Sequence, residues 1–359
     1  MAEVLPEIKL KKKDIQKIGS DPEASANAVK LVYVNSINEG ITRTRTAKGF
    51  AYRYKGKPVK DKEILQRVRS LVLPPAWEEV WICIKDNGHL QATGIDVSGR
   101  KQYKYHQHWN QLRNQTKFFK LQELGKVLPI IRKKVKKDLS LPGMPMNKVL
   151  AALVSLMEKT GIRVGNEFYE KLYGSFGLTT LKNKNVTINR GKLKFSFRGK
   201  KGVEHLVTLQ SKKLAKVVQH CRDIPGKELF QYIDEEGNRQ SIDSGMVNDY
   251  LREIAEAEFT VKDFRTWCGT VAALNAFIEF GPSEEEKEVK KKVIEMFDKV
   301  AALLGNTRTV TKKYYVHPRL PELYENGKLY ELLKKGKGSD KIDGLKEDEH
   351  LLMYLLNAS

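Results

Sequence analysis

Cysteine is scarce in this chain. Its three thiols, Cys83, Cys221 and Cys268, are odd in number, far apart and free of any C-x-x-C spacing. That argues against both a disulfide framework and a zinc site, and points to a reducing, cytoplasm-like compartment. Long apolar runs are missing as well. Nothing approaches the roughly 18 residues that span a bilayer, and the opening MAEVLPEIKLKKK has no apolar stretch of a secretory signal. The basic amphipathic helix or lipidation signal that an anionic membrane would want is absent. The seven histidines include no H-E-x-x-H pair, and there is no G-x-x-x-x-G-K-[ST] loop, so no motif points to a metal or to ATP. Internal repeats and low-complexity tracts are absent too.

Basic charge, by contrast, is abundant. Against 44 Asp and Glu stand 65 Lys and Arg, a formal net charge of +21 over 359 residues. An excess of that size fits a polyanionic partner, and nucleic acid is the usual one, because each neutralised phosphate releases condensed counterions. The ordinary alternative is that the charge only keeps the protein soluble. With 40% apolar residues the chain can bury a substantial core, and its length suggests two or three domains.

Residues 1–30 are polar and lysine-rich and read as a loosely held basic arm. From 31 to 112 the pattern is strand-like. LVYVN, GFAYRY, VWICI and HLQATGI are short β-branched or aromatic runs broken by AKG, YKGKP, LPP and KDNG, with a helix near Lys62–Leu71. This predicts a small antiparallel β-domain. Residues 113–330 turn mostly helical. MNKVLAALVSLMEKT sets Val149, Leu150, Leu153 and Met157 on one stripe. A β patch interrupts the helices: Leu193, Phe195 and Phe197 alternate, Gly199–Gly202 turns, and Val203, His205 and Val207 alternate again, which predicts a three-stranded meander. Ser283 and Glu286 suit a capping box for a helix whose inner face is Val289, Val293, Phe297, Val300 and Leu304, ended by Gly305. Residues 331–359 read as a C-terminal extension whose LLMYLL run is a docking helix. The fold class expected is α+β.

Four segments set unusual polar residues beside well-formed elements. TGIRVGN puts Arg163 just past an apolar helix. FRGKKG puts Lys200 at a hairpin tip. KDFRTW puts Arg265 between a helix start and aromatic rings. LGNTRTVTKKYYVHP puts Asn306 at a helix end and Tyr315 nine residues later. Singly, each has an ordinary reading: a surface ion pair, a solvated turn lysine, a helix cap, a packed tyrosine. In this order they resemble the type IB DNA topoisomerases, specifically the small bacterial and poxvirus-like branch. The segments NEGITRTR, LPPAW and GRKQYKYH extend the resemblance through the N-terminal β-domain, so that it covers about Leu31 to Pro318.

The resemblance implies a β-lobe in the major groove and a helical catalytic lobe of the topoisomerase IB/tyrosine recombinase fold, the two closing on duplex DNA as a C-shaped clamp. It implies Tyr315 as the nucleophile that forms a 3′-phosphotyrosyl bond, Arg163 and Arg265 on the non-bridging oxygens, and Lys200 as general acid. Asn306 stands where the poxvirus pattern has histidine and would donate a neutral hydrogen bond. Tyr314 is the rival nucleophile, disfavoured by the spacing from Asn306. For DNA contact the resemblance implicates Arg100, Gln102, Tyr103 and Tyr105, with Gln102 and Tyr103 touching bases. On an alternating strand Gln102 and Lys104 share one face, Tyr103 and Tyr105 the other. The family needs no metal, nucleotide or other cofactor; a monomer, cytoplasmic and nucleoid-associated, is expected. Two other readings stand beside it. A tyrosine recombinase uses the same chemistry, but its H-x-x-R box would want histidine at Lys262 and its N-terminal domain is usually helical. A non-catalytic basic DNA-binding protein would share only the charge.

Overall fold

The computed structural model describes residues 21–47, 49–97, 99 and 101–358. The chain folds as two compact units, Met1–Phe119 and Lys120–Ser359.

The first unit is built on a six-stranded antiparallel sheet in the order β3-β2-β1-β4-β5-β6. Its strands are β1 Ile41–Thr46, β2 Gly49–Tyr54, β3 Lys57–Pro58, β4 Glu78–Ile82, β5 Leu90–Ile95 and β6 Lys101–Tyr105. Lys55 and Gly56, both at positive φ, make the tight turn between β2 and β3; this is the primed geometry that matches strand twist. The helix Lys62–Ser70 starts at Asp61, whose carboxylate accepts from the Glu63 and Ile64 amides. Its Val68 packs with Ile41, Val80, Ile82 and Ala92.

A second, smaller core corrects the reading of residues 1–30 as a loose arm. Pro22–Ala28 is a helix capped by Asp21. Ala26, Val29 and Leu31 are buried together with Trp109 and Leu112. The apolar residues here are few, but a capped helix needs only one buried stripe to dock. Residues 1–20 lie outside the described part of the chain.

The second unit is mostly helical around one continuous core. Met146–Thr160 forms the expected helix, but it is buried on nearly every side, with Ala151, Ala152, Val154 and Leu156 enclosed as well as the predicted stripe. The meander is present: β7 Val186–Asn189, β8 Lys192–Arg198 and β9 Glu204–Gln210 pair antiparallel. Leu193, Phe195 and Phe197 face the core while their neighbours face solvent. A two-stranded ribbon, β10 Gln231–Ile233 and β11 Arg239–Ser241, was not anticipated.

One further expectation is corrected. Ser283 is not a helix cap. The helix begins later, at Glu286, with Glu285 in the capping position, and the Ser283 hydroxyl bonds the Glu288 carboxylate instead. The docking helix expected within residues 331–359 is present. Helices Leu329–Lys337 and Glu347–Asn357 bury Leu329, Leu333, Leu351, Leu352, Leu355 and Leu356 in the same core as the central helices. LLMYLL is apolar around most of its circumference, so it is enclosed rather than laid on a surface.

Candidate active site

Two helix ends create the site. The helix Met146–Thr160 stops at Gly161 and the helix Glu286–Leu304 stops at Gly305, both glycines in the left-handed conformation that caps a helix at low cost. Each end leaves backbone carbonyls without helical partners and carries the negative pole of the helix dipole. These carbonyls hold two arginines. Arg265, near the start of the helix Val261–Phe280, is only 4% exposed, and donates through Nη1 to the Gly161 carbonyl and through Nη2 to the Leu304 carbonyl at 2.8 Å. Arg163, two residues past Gly161, donates through Nη2 to the Gly305 carbonyl at 3.3 Å and to Asn306 Oδ1 at 2.5 Å. No carboxylate neutralises either guanidinium in these bonds, which leaves their positive charge for an incoming anion.

Burial is the main force lowering the basicity of both groups. Arg163 is brought down to about 10 by burial and then by the neighbouring charge of Arg265, partly offset by Tyr315. Arg265 is also lowered by burial, with Tyr315 opposing the shift. Arg163 remains charged at neutral pH. Asn306 spends its oxygen on Arg163, so its Nδ2, like Arg265 Nε, is a buried donor without a protein partner among the described residues. Buried donors are rarely left unpaired without a reason.

Tyr315 closes the group. It follows the short helix Arg308–Tyr314, and its ring lies 5.2 Å from the Arg265 guanidinium carbon. Its neighbour Tyr314 lies instead beside the Lys313 ammonium, 5.4 Å away. The backbone of Tyr315 is pressed onto the arginine's own helix. A Cβ on Gly269 would come within 2.5 Å of the Tyr315 carbonyl oxygen, so only glycine permits this approach. Thr270 Oγ1 donates to that carbonyl at 3.4 Å and accepts from the His317 amide at 3.2 Å. Arg163, Arg265, Asn306 and Tyr315 thus form one connected cluster. Lys200 is exposed at the tip of the β8–β9 hairpin, where its Nζ lies 5.9 Å from the centroid of Tyr169.

A profile described as "Eukaryotic DNA topoisomerase I, catalytic core" matches residues 106–332, and one described as "Bacterial DNA topoisomerase IB, N-terminal domain" matches residues 49–96. The DNA topoisomerase 1B of Acanthamoeba polyphaga mimivirus is 32% identical over 316 residues, 86% of this chain and 93% of the viral one. This chain belongs to the type IB DNA topoisomerases. The DNA topoisomerase I of monkeypox virus and the DNA topoisomerase 1B of vaccinia virus are more distant relatives, each 25% identical over 76% of the chain and 85% of their own length. The recombinase alternative gives way, and DNA is the substrate that membership implies. Among the described residues, no cluster of three or more His, Cys, Asp or Glu is arranged to hold a metal ion, and no helix is long and apolar enough to cross a membrane.

Elsewhere in this topoisomerase, three of the residues singled out for DNA contact, Gln102, Tyr103 and Tyr105, lie on β6, an edge strand of the first unit's sheet. Arg100 falls outside the described residues. Tyr103 is half-exposed and its ring stacks on that of Tyr105, 6.0 Å between centroids, so the two share a face. Gln102 donates from Nε2 to Asp96 Oδ2 at 2.8 Å, so reaching a base would require breaking that bond. The sequence reading missed what seats the cluster: Gly269 and Thr270, on one turn of the helix that carries Arg265, and His205 of β9. The spacing Arg265-x-x-x-Gly269-Thr270 was visible, but only the fold reveals that it faces Tyr315.

Proposed function

We propose that this topoisomerase relaxes supercoiled duplex DNA by cutting one strand through Tyr315, without ATP or metal, and acts as a monomer. The Tyr315 phenol gives up its proton to solvent and its oxygen attacks the phosphorus as the bond to the 5′ oxygen breaks. The products are a 3′-phosphotyrosyl link and a free 5′-hydroxyl. Lys200, exposed at the hairpin tip, supplies the proton that the departing 5′ oxygen needs. Arg163, Arg265 and Asn306 Nδ2 stabilise the charge on the non-bridging oxygens, where planar guanidinium groups are well matched to a phosphate. The Arg265 guanidinium beside the ring also favours the negative charge that the phenol oxygen gathers as it attacks. Because the phosphotyrosyl bond keeps the energy of the bond it replaced, the 5′-hydroxyl can reverse the step after strand rotation. Exposed residues of β6, Tyr103 foremost, contact the duplex.

The observation that carries this reading is the joining of Arg163 to Asn306 and of Arg265 to Tyr315 in one cluster that contains unpaired donors. The test is denaturing-detergent trapping on a labelled duplex in excess EDTA. Wild type and Tyr314→Phe should form the covalent adduct, and Tyr315→Phe should bind DNA but form none. An adduct that survives in Tyr315→Phe and vanishes in Tyr314→Phe would reassign the nucleophile. Loss of all cleavage in EDTA would remove the metal-free mechanism.

A further inference from the structure

One aromatic ring lies between the two backbone turns that carry Lys200 and Asn306. His205, on β9, stacks on Phe197 of β8 with centroids 4.9 Å apart and planes within 6°. Gly199, the residue before Lys200, lies against one side of it: a Cβ there would stand 2.6 Å from His205 Cδ2 and 2.7 Å from Nε2. Gly305, the residue before Asn306, lies against the ring's Cε1, so closely that a Cβ would overlap it. Gly305 needs glycine in any case, since it caps a helix at φ 58°. Gly199 does not, because its φ of −95° suits any residue. The close approach of the imidazole is the physical reason for a glycine at position 199.

We propose that His205 is a positioning residue that docks the Lys200 hairpin onto the Asn306 turn and so fixes where the lysine meets the leaving 5′ oxygen. The inference rests on the reading of Lys200 as general acid. A flexible hairpin tip places an ammonium poorly, and a misplacement of about 1 Å can cost roughly 100-fold in rate. A flat ring wedged between two glycines removes that freedom without adding a charge. Burial, then the charges of Arg163 and Arg265, oppose protonation of His205, with Glu204 acting the other way. The ring is therefore neutral at neutral pH and leaves the two guanidinium charges to the phosphate.

Single-turnover cleavage of two duplexes tests this, one with the normal bridging 5′ oxygen and one with sulfur at that atom. A thiolate leaves without a proton, so sulfur removes the need for a general acid. His205→Ala should slow cleavage of the oxygen duplex by roughly 10- to 100-fold, leave DNA affinity within about twofold, and cleave the sulfur duplex within about threefold of wild type. Gly199→Ala, whose backbone angles alanine tolerates, pushes a methyl into the ring at Cδ2 and Nε2 and should give the same substrate-selective defect. The double variant, in which the methyl meets no imidazole, should be less impaired than the product of the two single effects. Equal defects of His205→Ala on both duplexes, beside a Lys200→Ala that sulfur rescues, would overturn the positioning role and leave the general acid standing. A Lys200→Ala equally defective on both would overturn the general-acid reading and this inference with it. Wild-type rates for both His205→Ala and Gly199→Ala would overturn the inference alone.

Discussion

Asn306 and Arg163 act as one unit at the residue scale. The amide oxygen fixes the guanidinium at 2.5 Å and thereby turns Nδ2 toward a role as donor. Asn306→Ala should therefore cost about 2–3 kcal/mol in single-turnover cleavage, and Arg163→Ala roughly 3–4 kcal/mol. Because the first change also frees the arginine, the double variant should lose less than the sum. Additive losses would mean that the two side chains work independently. His317 offers a different test. Burial, and then Arg319, bring its imidazole down to about 4. The unfolded chain takes up that proton near 6.5. The stability His317 contributes is thus intact above pH 6.5 and is lost as pH falls from there through 4, roughly 3 kcal/mol in all. Asn can mimic the acceptor that Nδ1 offers to the Arg319 amide. Urea unfolding of His317→Asn should show a flatter acid limb than wild type; equal slopes between pH 7 and 4 would clear His317 of the effect.

At the scale of elements, the helix Glu347–Asn357 is tied to the site's own helices. Glu349, buried to 4% exposure, accepts from Arg132 Nη2 at 2.6 Å and from Trp267 Nε1 at 3.3 Å, while Arg132 also bonds Glu158 at 2.5 Å. Trp267 stands two residues past Arg265, and Glu158 three before Gly161. Removing Glu349 leaves Trp267 Nε1 without its acceptor and Arg132 with Glu158 and the Gly344 carbonyl, so Glu349→Ala should lower unfolding stability by about 2–3 kcal/mol. A loss below about 1 kcal/mol would mean that the network is a bystander. The docking of LLMYLL was legible but its partners were not: its helix packs on Leu329–Lys337 and on Val261–Phe280, the helix that carries Arg265. The strands in GFAYRY, VWICI and HLQATGI, the meander and the Gly305 cap were legible, since period-two alternation and glycine placement are local; LVYVN, read as strand-like, forms only a single bridge at Val32. His205 was not, because its alternating position fits an ordinary half-buried strand residue. Its meaning lies in glycines 199 and 305, one of them 100 positions away. The Ser283 cap failed for the opposite reason: a correct local pattern lost to a carboxylate one turn further on.

For the whole molecule, the order of Arg163, Lys200, Arg265, Asn306 and Tyr315 carried the family assignment, since no single residue among them is distinctive. The net charge of +21 is its physical counterpart. If about 8 phosphates are neutralised, log K against log salt should fall with a slope near −7; a slope near zero would show that the charge serves only solubility. The enclosed C-terminal helices also bear on how the protein is made. In synthesis Tyr315 precedes Leu351–Leu356, which belong to the same core as the helices around the arginines. A nascent chain or proteolytic fragment that stops between these points carries every residue of the proposed chemistry on an unfinished scaffold. Such a fragment should unfold more readily than the full chain and give no covalent adduct in the trapping assay.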